Sequence, residues 1–139
     1  MKMRTAALDI GTVRIGIAIS NPEGTIALAH STLHLNQCPN PFEEIAGILA
    51  ENDIHQIVVG WPLELDGSEG PAIKRTRQFL KKLKAACPDI KIFRQDERLT
   101  SSQAENALQE METRGSHKKD VVDAMAATLI LQTYLDRIY

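Results

Sequence analysis

The segment Ala6-Ala7-Leu8-Asp9-Ile10-Gly11-Thr12-Val13-Arg14-Ile15-Gly16-Ile17-Ala18-Ile19-Ser20 constrains the fold more than any other part of the chain. Two apolar runs flank Gly11-Thr12 and read as strand, tight turn, strand. Asp9 falls near the end of the first strand. A carboxylate in a central strand is costly to bury unless something compensates its charge. A metal ion is the leading candidate, because two further acids, Glu97 and Asp123, stand in similarly apolar surroundings.

The remaining pattern places these acids. Residues 3–10, 13–20 and 25–35 read as three strands of an antiparallel meander, with Asn21-Pro22-Glu23-Gly24 as the second turn. Asn40-Pro41-Phe42-Glu43 opens a helix with Asn40 as N-cap and Pro41 at its first position, and Phe42, Ile45 and Leu49 form its apolar stripe. Residues 56–60 are a short, apolar strand of the kind buried in a parallel sheet. A loop over 61–70 leads to a second helix from Pro71, with Ile73, Thr76, Leu80 and Leu83 inward and Lys74, Arg77, Lys81 and Lys84 on a neighbouring face. A strand at 90–94 follows, then a helix near 101–113 capped by Thr100 and Gln103. Arg114 to Lys119 reads as a loop, and 120–137 as a last helix with Val121, Ala124, Met125, Thr128, Leu129 and Leu135 inward. The order βββαβαβαα predicts an α/β fold: one domain over 1–139 with a mixed five-stranded sheet flanked by helices. Right-handed crossovers make the later strands parallel to the first. Ligands gather at the carboxyl ends of such strands, here Asp9, Gly60 and Asp96-Glu97.

Composition narrows the function. With 16 Lys and Arg against 18 Asp and Glu, the chain is no general polycation, although a local basic stripe suffices for nucleic acid. Cys38 and Cys87 form no CxxC pair and read as reduced thiols, which with the lack of an apolar signal core or membrane-spanning run predicts a cytoplasmic protein.

Three carboxylates at the ends of core elements make a hard-oxygen site suited to Mg²⁺ or Mn²⁺. Two such ions clamp the attacking and leaving oxygens of a phosphodiester displacement. Taken singly, each acid has a plainer reading: Asp9 as a turn residue, Glu97 as part of the Asp96-Glu97-Arg98 charge cluster, Asp123 as an acid in the first turns of a helix. Asp120 reads as a helix cap. Only the joint placement points to chemistry.

Four stretches resemble the YqgF/RuvX family in order and spacing over nearly the whole chain. They are Leu8-Asp9-Ile10-Gly11-Thr12 with Arg14-Ile15-Gly16-Ile17-Ala18; Val58-Val59-Gly60-Trp61-Pro62-Leu63 with Asp66-Gly67-Ser68-Glu69-Gly70; Asp96-Glu97-Arg98-Leu99-Thr100-Ser101; and Lys118-Lys119 with Val122-Asp123-Ala124 and Ala126-Ala127 to Leu131-Gln132. The resemblance implies an RNase H-like fold and a metal-dependent nuclease with Asp9, Glu97 and Asp123 as its acidic active-site residues. It also implies action in 5′ maturation of precursor 16S ribosomal RNA or, alternatively, resolution of Holliday junctions. Trp61 departs from the family's usual Leu; its ring either stacks on a base or packs under the loop.

The substrate needs cations along its backbone. Arg14 beside the Asp9 turn, Arg98 beside Glu97, and Lys118 and Lys119 before the last acid are the candidate phosphate contacts. Each also has the ordinary reading of a solvated or ion-paired side chain. His117 reads as a surface residue, with proton shuttling as the alternative reading. The expected partner is nucleic acid, with the protein a monomer or weak homodimer. Two other classes compete: an actin-like nucleotide-binding domain, which needs a second domain to form its cleft, and a non-catalytic RNA- or ribosome-binding protein with a vestigial site.

Overall fold

Strands β1 (Thr5–Ile10), β2 (Arg14–Ser20) and β3 (Ala27–His34) form an antiparallel meander because two local devices turn the chain. At the first, the Gly11 N–H donates to the Arg14 carbonyl at 2.9 Å. A Cβ on Gly11 would sit 2.8 Å from that oxygen, so glycine is required there. At the second, Asn21 Oδ1 accepts from the N–H groups of Thr25 and Ile26 at 2.8 and 3.0 Å, and Gly24 takes φ 73°. The computed structural model describes residues 4–96 and 118–138, and for 118–124 the backbone alone.

Helix α1 (Pro41–Glu51) begins as its sequence predicts, with Asn40 Oδ1 accepting from the Glu43 N–H at 3.1 Å. Strand β4 (Gln56–Trp61), buried throughout, lies parallel to β1. Helix α2 (Pro71–Ala86) returns the chain to β5 (Lys91–Asp96), parallel to β4. The sheet order is β3-β2-β1-β4-β5, so the strand bearing Asp9 is central. The expected helix near 101–113 lies outside the described residues.

Alternation along β1 sorts the two faces of the sheet. Ala6, Leu8 and Ile10 join Ile15, Ile17, Ile57 and Val59 beneath α1 and α2, which meet through the rings of Phe42 and Phe79 at 4.7 Å. Ile73, Thr76 and Leu83 of α2 are buried as expected, while Leu80 is half-buried and Phe79 shares its place. Ala7, Ala18, Ala27 and Val58 face the last helix, α3 (Lys118–Ile138).

Two expectations about α3 are corrected. Lys118 and Lys119 are helical rather than loop residues, consistent with the good helix propensity of lysine. The buried row is Ala127, Ile130, Leu131, Tyr134 and Leu135, whereas Met125, Thr128 and Leu129 are only half-buried. Helical period alone did not fix which side turns inward. Gln132 does: its Oε1 accepts from the Ala27 N–H at 2.9 Å and its Nε2 donates to the Thr25 carbonyl at 3.1 Å. No described helix is long and apolar enough to cross a membrane.

Candidate active site

Asp9 is half-buried, one residue before the end of the central strand. It alternates with Leu8 and Ile10, and so projects from the face that α3 covers. Its partner on β2 is Gly16. On β4 the last paired residues are Leu8 and Val59, which sets Gly60 beside Asp9 on the other side. The carboxylate is therefore flanked by two buried glycines, and behind it lie Ala7, Ala18 and Val58. Neither neighbouring strand contributes a side chain alongside it. This framing was missed at the sequence level, although Gly60 inside Ile-Val-Val-Gly-Trp was the available signal.

Beyond Gly60, Gln95 of β5 lies on the same face and is fully buried. Its Oε1 accepts from Arg137 of α3 at 2.9 Å, while among the described residues its Nε2 has no hydrogen-bond partner. Arg14, half-buried at the start of β2, alternates with Ile15 and so shares the Asp9 face, nearer the rim. Asp96 ends β5 opposite Trp61, and the chain passes directly to Glu97.

Trp61 belongs to the opposite face and is 5% exposed. The Arg94 guanidinium lies 4.0 Å from its ring centroid, and that of Arg77 lies 5.5 Å away. Of the two sequence readings of Trp61, the burial fits packing: the ring is a platform for arginines. Arg77 is itself held by Glu69 through two 2.7 Å contacts, and this bond keeps the exposed Glu69 carboxyl below its ordinary value.

Of the expected carboxylates, Asp9 is placed in full. Asp123 falls within α3. Glu97, Arg98 and His117 lie outside the described residues, as do the side chains of Asp123, Lys118, Lys119 and Asp120. Among the described residues no three His, Cys, Asp or Glu side chains group to hold a metal.

The architecture is the RNase H-like fold of the Holliday junction resolvases. Thermus thermophilus RuvC in complex with Holliday junction substrate matches at TM-score 0.60, with 13% identity, over 98% of this chain and 96% of that one. The Fowlpox virus resolvase bound to junction DNA matches at 0.54, also with 13% identity, over 98% and 99%. More particularly, the chain belongs to the RuvX family, whose model, described as Holliday junction resolvase, matches residues 3–137. Relatives from Fusobacterium nucleatum (42% identical, 96% of each chain) and Sulfurihydrogenibium sp. (43%, 97% of this chain and 91% of that one) are both described as "Putative pre-16S rRNA nuclease". A relative from Halalkalibacterium halodurans (40%, 97% of each) bears the same description.

Proposed function

We propose that this protein is a metal-dependent endonuclease that hydrolyses phosphodiester bonds in 5′ maturation of precursor 16S ribosomal RNA. The observation that carries the reading is Asp9 at the carboxyl end of the central strand, between Gly16 and Gly60, in a chain whose relatives are described as acting on that RNA. The donor chemistry fits a hard cation: Asp9, Glu97 and Asp123 offer only oxygens, the ligands Mg²⁺ and Mn²⁺ require. These three residues would hold the metal. When bound, it supplies electrostatic stabilisation of the attacking and leaving oxygens of the displacement.

The chain's own residues do the rest. Gly16 and Gly60 keep the flanks of Asp9 clear of side chains, so a phosphate can approach its carboxylate. The end of β5, from which Glu97 follows, stands two strand spacings from β1, roughly 10 Å. Only Gly60 lies between, so no β4 side chain on the Asp9 face separates the ends of β1 and β5. Arg14, on the Asp9 face near the rim, holds a non-bridging oxygen of the scissile phosphate. Arg98, Lys118 and Lys119 grip the backbone on either side.

The test is cleavage of a 5′-extended 16S precursor by purified protein with Mn²⁺ or Mg²⁺. The expected result is cleavage abolished by EDTA and by Asp9→Asn. Cleavage that survives both removes the metal mechanism. The family model's description favours a second reading, resolution of branched DNA at the same site. A four-way junction assayed beside the RNA separates the two: symmetric cuts in two strands by a dimer support resolution, and an inert junction with a strictly monomeric protein excludes it.

A further inference from the structure

Helix α2 carries six of the chain's 16 Lys and Arg residues and none of its 18 acids. All six (Lys74, Arg75, Arg77, Lys81, Lys82 and Lys84) are exposed. Such segregation has a cost, since like charges three or four apart, as at Lys74/Arg77 and Arg77/Lys81, destabilise a helix. Among the described residues only Arg77 has a carboxylate partner, Glu69, while Lys84 donates to the Ile90 carbonyl. The remaining four cations face solvent.

Their arrangement has a direction. Arg75, Gln78 and Lys82 form one row, and they line a depression of about 250 Å³ together with Gly11 and Thr12. That turn is the rim of the sheet next to Asp9. The row therefore ends at the candidate active site, although α2 covers the opposite face of the sheet. Arg75 and Lys82 are seven residues apart, about 10.5 Å along the axis, which spaces them for separate backbone contacts.

We propose that α2 is a docking track for the phosphodiester strand cut at the Asp9 site: Arg75 and Lys82 bind its backbone, and the strand crosses the rim at Gly11-Thr12 to reach Asp9. The proposal rests on the nuclease reading for its ligand. The commitment to nucleic acid over an acidic protein rests on the row's approach to the rim beside Asp9, and competition by polyglutamate tests the alternative.

The experiment measures anisotropy of a fluorescent single-stranded precursor RNA in the Asp9→Asn background, where cleavage does not interfere. Arg75→Ala with Lys82→Ala should weaken binding at least tenfold and lower the salt-dependence slope by about 1.4, the value for two phosphate contacts on a single strand. Both positions are exposed and alanine favours helix, so an unchanged melting temperature certifies the fold. Lys91→Gln, at the start of β5, should leave affinity and slope unchanged. In the otherwise wild-type enzyme the double variant should raise KM and spare kcat. Equal losses from Lys91→Gln, an unaltered slope in the double variant, or displacement of RNA by polyglutamate at equal charge concentration overturns the track. If the wild-type protein never cleaves RNA but the double variant still loses binding and slope, the nuclease reading fails and the track stands.

Discussion

At Gly11 a single methyl group decides whether the rim beside Asp9 can close. Gly11→Ala would press a Cβ to 2.8 Å from the Arg14 carbonyl. The turn must open to relieve it, at a cost of about 1–3 kcal/mol, read as a lowered denaturation midpoint with an unchanged m-value. Asp9→Asn keeps the shape and removes the charge. Losing the corresponding transition-state stabilisation, about 3 kcal/mol or more, lowers the single-turnover cleavage rate at least about 10²-fold while the melting temperature holds or rises. Trp61 makes the opposite case. Loss of a stacked base costs about 1–3 kcal/mol, but this ring is buried under Arg94. Trp61→Phe should therefore leave RNA affinity within a factor of about two, and a loss beyond tenfold would restore the stacking role. The role of the tryptophan stayed open in the sequence because its position at a strand end does not reveal which side of the sheet it occupies or what covers it.

Elements were legible where local chemistry defines them. Asn40 with Pro41 announced α1, glycine and asparagine marked both turns of the meander, and the apolar run at 56–60 announced a strand buried on both faces. The rotation of α3 was not legible, because its apolar residues are too evenly spread to define one stripe; Gln132 resolves it by a contact more than 100 residues distant in sequence. Gln132→Ala would leave the Ala27 N–H and Thr25 carbonyl without their partner, a loss of about 1–3 kcal/mol. Urea denaturation followed by circular dichroism measures it. Cys87, at the end of α2, has its thiol pushed up by partial burial. Its thiolate fraction at pH 8 is small, so alkylation by iodoacetamide should be slower than for a free thiol and should accelerate as pH rises.

Across the whole molecule, chain order does what no single motif does: β1 is made central by the meander on one side and by two parallel strands on the other. The carboxyl ends of β1, β4 and β5 thereby share one edge, and that much was readable from the alternation of strands and helices. The pair of glycines bracketing Asp9 was not, because the register across β2-β1-β4 comes from pairings between distant segments. Charge is divided in the same global way, with the cations of α2 beneath the rim and Asp9 above it, although net charge gives no hint of either. The central claim is that Asp9, Glu97 and Asp123 share divalent metal. Calorimetric titration of Mn²⁺ into the wild-type protein and into Asp9→Asn, Glu97→Gln and Asp123→Asn tests it most directly. The account predicts saturable binding in the wild type that each substitution weakens at least tenfold; Mn²⁺ affinity unchanged in all three variants would contradict it.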